Sequence, residues 1–254
     1  AINGCFILLC LPISLIYREG GVVPLILSAV ASAGIGGLLW LICRNRTSDH
    51  LSKRDGYLIV TLGWFGMSLV GALPYIFSGA IPNFTNAFFE TLSGFTTTGA
   101  SILNDIESLP KGILFWRSLT QWMGGMGIIV LAVAVLPLLG IGGMQLFVAE
   151  APGLKPDKLQ PRITATARRL WIIYVGLTIA EFVLLLLGGM TTFDALNHSL
   201  TTMATGGFST RQDSIAHFSS PFIQYTIILF MFIAGTNFTL TYFGFKGNFR
   251  KVWA

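Results

Sequence analysis

The sequence predicts an all-α integral membrane protein: two leading transmembrane helices, then two span–pore helix–span repeats. Three observations predict it. Hydrophobic residues make up 53% of the 254 positions and charged residues only 11%, against about 25% charge in a soluble domain. The apolar residues fall into runs long enough to cross a bilayer, at ~20 residues per crossing. Two polar, glycine-containing stretches, Phe95–Ser101 and Met203–Ser209, each follow a segment too short to cross. Non-helical backbone at membrane depth is tolerated only where protein buries it or where it lines a watery cavity.

The first run, Ile2–Tyr17, is short for a span and resembles the apolar core of a signal peptide. No basic residue precedes it and no clear small-residue cleavage site follows before Arg18, so it reads as a first helix whose beginning lies outside the sequence. Longer runs follow at Val22–Cys43, Gly56–Ser78, Ile113–Leu139, Leu170–Met190 and Phe222–Phe245. They divide the chain into a leading hairpin and cytoplasmic loop (1–55), a first span–pore–span unit (56–139), a basic cytoplasmic link (140–169) and a second unit (170–254). Cys5, Cys10 and Cys43 lie in or beside apolar helices, which predicts core packing and no disulfide framework.

Charge orients the chain. If the spans alternate, twelve of the sixteen Lys and Arg fall on one side, in clusters at 44–54, 155–169 and 246–251. The other side holds Arg18, Lys111, Arg117 and Arg211 with six carboxylates. The positive-inside rule puts the clusters in the cytoplasm, and both glycine-containing stretches then face outward. This distribution makes the net charge of +5 a matter of topology, with no nucleic-acid partner implied.

The two units repeat. An offset of 108 sets Asn86-Ala87-Phe88 on Asp194-Ala195-Leu196, Thr97 on Thr205 and Gly99 on Gly207. Asn86 and Asp194 are expected N-caps of short helices over Ala87–Phe95 and Ala195–Met203. Eight to ten residues span ~12–15 Å at 1.5 Å per residue, half a hydrocarbon core. Such a helix starting outside ends near mid-membrane, where its negative pole favours a cation.

A small cation sheds water to pass a narrow filter, and backbone carbonyls can replace that water without trapping the ion. Glycine allows the dihedrals such backbone needs, and threonine adds hydroxyl oxygens. Thr96, Thr97, Thr98 and Gly99 are the expected filter of the first unit, and Ala204, Thr205, Gly206 and Gly207 that of the second. A Thr/Gly surface turn is the bland alternative for either alone, and the matched pair argues against it.

The segments Ser93–Ser101, Gln121–Gly127 and Ala204–Ser209 resemble the first filter, the following span and the second filter of the Trk/Ktr potassium-uptake channels, in their bacterial TrkH type. The resemblance covers essentially the whole chain. It implies a K+-selective pore with one conserved glycine per repeat, here Gly99 and Gly207, in the bacterial inner membrane. It also implies membrane lipid, a homodimer and a cytosolic nucleotide-binding regulatory subunit of TrkA type as partners, with K+ as the transported ion and no covalent cofactor. Members of this family carry four units. The missing two are expected from a longer protein of which this is a fragment, or from a second copy.

Other polar residues are weighed against structural roles. Glu181, inside an apolar span, is a coupling-site candidate for a proton or sodium, or hydrogen-bonds a neighbouring helix or Arg117. A proton- or sodium-coupled secondary cation transporter is accordingly the alternative function. Glu90 and Asp194 either attract cations at the mouth or satisfy backbone donors. Arg117 snorkels or pairs with a carboxylate. His198 and His217 lack partners at metal-ligand spacing and read as structural. The small residues of Trp122–Gly127 let helices approach closely. The basic link suits anionic lipid or a regulatory subunit. No catalytic motif is present, so the chain is not expected to be an enzyme.

Overall fold

The computed structural model describes residues 2–44, 53–134 and 159–236, and it is all-helical there. In order come α1 (Ile2–Leu8), α2 (Leu11–Ile16), α3 (Val22–Cys43), α4 (Lys53–Gly71), α5 (Leu73–Phe77), α6 (Phe84–Phe95) and α7 (Lys111–Ala134), then α8 (Leu159–Leu187), α9 (Thr192–Met203) and α10 (Pro221–Gly235). One 3-10 turn, Ser214–His217, precedes α10.

Proline decides two departures from the expected runs. The run Ile2–Tyr17 is two helices, not one, and the break follows Leu8. Pro12 has no N–H for the Leu8 carbonyl, and its ring crowds that carbonyl. The run Gly56–Ser78 likewise splits into α4 and α5, because Pro74 cannot bond the carbonyl of Val70. The neighbouring Gly71 carbonyl takes the Trp116 indole N–H at 2.9 Å, across from α7. In α3, by contrast, Pro24 sits in the first turn where no helical N–H is needed, and the helix runs Val22–Cys43 as expected. Its Ser28 and Ser32 hydroxyls donate to carbonyls four residues back, at 2.7 and 2.6 Å, so neither is an unpaired polar group in an apolar setting.

Among the described residues, three helical stretches are long and apolar enough to cross a membrane: Val22–Cys43, Tyr57–Phe77 (α4 continued by α5) and Ala167–Leu187. They leave large apolar side chains exposed, among them Val30, Leu38, Ile172 and Leu187, on a scale that suits lipid and not water. α8 starts eleven residues before the expected Leu170, so the end of the basic link is helical. The rest of that link, with Lys155 and Lys158, lies outside the described residues, as do the expected ends of the third and fifth long runs. Of the three cysteines only Cys10 is buried, which corrects the expected core packing of Cys5 and Cys43.

α7 is central. It packs against α6, α9, α8 and α2. In lipid, helices gain little from hydrophobicity toward one another, so close van der Waals packing must hold them. Glycines supply it. A Cβ on Gly124 would run into the backbone of Phe95, at the end of α6. One on Gly125 would stand 3.0 Å from the Cα of Ala204, at the end of α9. One on Gly127 would meet the Trp64 ring of α4 at 2.9 Å. The Tyr174 hydroxyl of α8 donates to the Trp122 carbonyl at 3.1 Å, and the Trp122 indole N–H to Thr178 at 3.2 Å.

Gly124→Ala should therefore destabilise the protein by about 1–3 kcal/mol through overpacking. Gly176→Ala, where an added Cβ meets nothing within 4 Å, should be neutral or slightly stabilising. Thermal melting in detergent compares them, and equal melting temperatures would remove the close-approach role of Gly124.

Candidate functional site

The two half-length helices superpose in sequence. α6 covers residues 84–95 and α9 covers 192–203, each 12 residues long and 108 positions apart. Both N-caps lie three residues upstream of the expected ones. Asn83 accepts the Asn86 N–H at 3.2 Å, and Thr191 accepts that of Asp194 at 3.1 Å. Asn86 and Asp194 are thus capped residues, not caps, and the Thr191 hydroxyl also donates to the Asp194 carboxylate at 2.9 Å.

The C-terminal ends match bond for bond. The Thr97 N–H donates to Gly94 O at 2.9 Å and the Thr98 N–H to Ser93 O at 2.9 Å. Their counterparts, Thr205 to Thr202 at 2.8 Å and Gly206 to Thr201 at 3.0 Å, repeat the pattern. This is a Schellman close, whose left-handed residue is usually glycine. Here it is Thr97 with φ 55° and Thr205 with φ 54°. A β-branched residue in that region is an outlier, and its repetition points to function as the reason. Two residues on, Gly99 and Gly207 are again left-handed, with φ 76° and 82°.

Gly206 has a different purpose from the one its sequence suggested. It is not left-handed; it lies against the Gln121 amide of α7, whose Cδ, Oε1 and Nε2 would all clash with an added Cβ. The two stretches also touch one another, since a Cβ on Gly99 would strike the Gly206 carbonyl oxygen. Thr96, Thr98, Thr205 and Gly207 are exposed, whereas Ala204 and Gly206 are buried. The Thr96 hydroxyl is already committed, donating to Leu92 O at 2.8 Å, so the 2.7 Å contact between Thr96 and Thr98 has Thr98 as donor.

A buried ion pair holds both stretches. Arg117 Nε lies 2.7 Å from Glu90 Oε1, with side chains 3% and 0% exposed. Glu90 also accepts the Ser101 hydroxyl at 2.9 Å and the Ile102 N–H at 3.0 Å, gripping the chain after Gly99. Arg117 donates from Nη1 to Ser209 O at 2.8 Å and stacks its guanidinium 3.7 Å from the centre of the Phe208 ring, gripping the chain after Gly207. One turn on, Gln121 Oε1 accepts the Phe208 N–H at 3.1 Å. Arg117, Gln121 and Gly125 thus share one face of α7 and meet residues 209 to 204 in turn.

Asp194 supports the second outer loop. It accepts from the Thr210 hydroxyl at 2.6 Å and from Arg211 Nη2 at 2.9 Å. Burial alone would raise its pKa, but the bonds from Thr210, Arg211 and Thr191 outweigh it and hold the carboxyl below the ordinary aspartate value. Gln212 Oε1 accepts the Ile106 N–H at 3.2 Å and ties the two outer loops together. Of the roles weighed for Glu90 and Asp194, both satisfy local donors. Arg117 pairs with Glu90, not Glu181. Glu181 is buried, with the Thr202 side chain as its hydrogen-bonding neighbour. His198 meets Phe218 edge to face and lies 3.4 Å from the Ser209 hydroxyl, while His217 also meets Phe218 edge to face. Among the described residues no group of His, Cys, Asp and Glu could hold a metal ion. The Glu90–Arg117 and Gln121–Phe208 partnerships had no local sequence signal.

Membrane-length helices around a pair of matched half-helices define an all-helical membrane protein with irregular, glycine-bearing backbone in its interior. The family model of TrkH, a cation transport protein, matches residues 25–247, and the chain belongs to that family. It is 49% identical over 244 residues to the Trk system potassium uptake protein TrkH of Salmonella typhimurium, covering 95% of this chain and 50% of the relative. Against the Trk system potassium uptake protein TrkG of Escherichia coli K12 it is 42% identical over 232 residues, covering 91% and 48%. The crystal structure of the potassium transporter TrkH from Vibrio parahaemolyticus matches with a TM-score of 0.83 at 42% identity, over 97% of this chain and 49% of that one. The chain spans about half the length of the curated relatives it matches.

Removing one partner of the buried pair leaves the other charged and unpaired, at a cost of about 3–5 kcal/mol. Arg117→Met and Glu90→Gln should each lower the yield of monodisperse protein and its melting temperature. The double variant should recover part of the loss, and strictly additive losses would show that the two residues are not coupled.

Proposed function

We propose that the chain contributes two units of a potassium-uptake pore in the bacterial inner membrane. Each unit is a span, a re-entrant pore helix and a span: α4/α5, α6 and α7 in the first, α8, α9 and α10 in the second. The observation that carries this is the left-handed pair in each stretch, Thr97 with Gly99, both half-buried, and Thr205 with Gly207, both exposed, at the same spacing after the same helix end. In a β-strand successive carbonyls point to opposite sides. Left-handed residues at alternate positions turn alternate peptides over, which lets neighbouring carbonyls face one pathway and replace an ion's water.

The positions that would line the pathway are Thr96, Thr97, Thr98 and Gly99 with Ala204, Thr205, Gly206 and Gly207. Ala204 and Gly206 take part through their backbone and through packing, since both are buried. The C-terminal poles of α6 and α9 favour a cation where their ends converge. K+ is the ion by likeness to relatives named as potassium uptake proteins. The membrane potential supplies ~2.3 kcal/mol per charge per 100 mV, enough to drive entry without chemistry on the protein. The remaining units come from further sequence or a second copy. A homodimer, surrounding lipid and a cytosolic nucleotide-binding subunit of TrkA type complete the assembly, with the basic residues on the cytoplasmic side. A coupled secondary transporter centred on Glu181 has less support, because Arg117, the cation weighed as its partner, is committed to Glu90.

Growth of uptake-deficient cells on limiting potassium tests the reading, using the complete coding sequence with Gly99→Ser or Gly207→Ser. Both should lower K+/Na+ discrimination. Gly99→Ser should be the more severe, because its Cβ meets the Gly206 carbonyl, whereas Gly207 has open space and suffers only a left-handed cost of about 1–2 kcal/mol. Unchanged growth and discrimination in both variants would overturn the filter.

A further inference from the structure

Gln121 is buried in α7, at 0% exposure, between the two glycine-containing stretches. Its orientation follows from its partner: the Phe208 N–H needs an acceptor and finds Oε1 at 3.1 Å. Nε2 must then point the other way, and it has no hydrogen-bond partner among the described residues. The whole amide lies against Gly206, whose Cβ would stand 2.6 Å from Nε2 and closer still to Cδ and Oε1, and Nε2 is 3.8 Å from where a Cβ of Gly99 would be. The amide is therefore wedged behind the point where Gly99 meets the Gly206 carbonyl. Leaving a buried amide donor unpaired costs about 1–3 kcal/mol, so ordinary packing is a poor reason for a glutamine here. Leucine or methionine would fill the same space without the unpaired amide, but would orphan the Phe208 N–H.

We propose that Gln121 is a positioning residue that sets the separation of the two stretches and, through it, ion discrimination. It pulls residue 208 onto α7 through Oε1 while its amide body keeps Gly206 and Gly99 from collapsing onto the helix. The inference rests on the filter reading above. Its mechanism is mechanical: carbonyls replace an ion's water well only at the spacing that ion requires, and Gln121 ties α7 to the second stretch at Phe208 and abuts the first at Gly99. Arg117, one turn earlier, anchors residues 208 and 209 but makes no contact of this kind with Gly206 or Gly99.

The test is the ratio of K+ to Na+ uptake in cells expressing the complete coding sequence with Gln121→Ala, Gln121→Met or Gln121→Glu. Gln121→Ala removes both the bond and the wedge and should lower the ratio about fivefold or more, the equivalent of one lost hydrogen bond. Gln121→Met keeps the volume but not the acceptor and should fall between Ala and the parent. Gln121→Glu keeps the acceptor and should retain most of the discrimination. If the alanine variant does not accumulate, the methionine variant carries the comparison. A parental ratio in Gln121→Ala and Gln121→Met, alongside a reduced ratio in Gly99→Ser, would overturn the role of Gln121 and leave the filter standing. A parental ratio in all of them, the glycine variants included, would overturn both.

Discussion

Irregular backbone inside an apolar environment has to find partners for its N–H and C=O groups, and here the Glu90–Arg117 pair is what makes that possible. Neither residue is there for its charge alone. Glu90 spends its lone pairs on the Ser101 hydroxyl and the Ile102 N–H; Arg117 spends its donors on Glu90 and the Ser209 carbonyl. A buried pair gains little by itself, because desolvation offsets attraction. Its worth lies in the extra bonds that leave neither ion short of partners. Two loops 108 positions apart are thereby fastened to one helix.

With the loops held, local strain becomes tolerable. Thr97 and Thr205 adopt backbone that L-residues avoid at a cost of about 1–2 kcal/mol each. The Schellman bonds at the ends of α6 and α9 recover carbonyls that would otherwise be unpaired. The glycines divide the remaining work. Gly99 and Gly207 supply dihedrals, whereas Gly94, Gly124, Gly125 and Gly206 supply contact distance. The two uses look alike in sequence and differ in consequence. A side chain at Gly207 meets a conformational cost, and one at Gly124 meets another backbone.

What the sequence made legible follows from how local each signal is. Val22–Cys43 was legible because its single early proline falls where helices accept one. The repeat offset was legible from Thr97, Gly99 and their counterparts, and it held to the residue across both half-helices. The caps were misread because Asn86 and Asp194 are themselves good capping types, and the actual caps stand three positions earlier in the same box-like spacing. Pro12 and Pro74 were visible, yet an apolar run hides a break when composition is read over twenty residues. Partnerships across 27, 87 and 92 positions, those of Arg117 with Glu90, Gln121 with Phe208 and Arg117 with Ser209, were not legible, because only the folded chain brings them together. Gln121 was legible only as the start of the segment that resembles the family's following span, for the same reason.

The repeat extends to the backbone but not to its support. Cap, helix length, closing bonds and left-handed positions recur in both units. At the position of Glu90 the second unit has His198, which meets Ser209 as Glu90 meets Ser101, though at 3.4 Å instead of 2.9 Å. α10 bears no charged residue, and its one amide, Gln224, donates to the Phe218 carbonyl. The polar clamp therefore belongs to the junction between the two units and is not a property of each. Its consequence is mechanical. Both stretches are referred to α7, one through Glu90 and one directly through Arg117 and Gln121, so a shift of α7 changes both together. The spacing between them is set by one helix face.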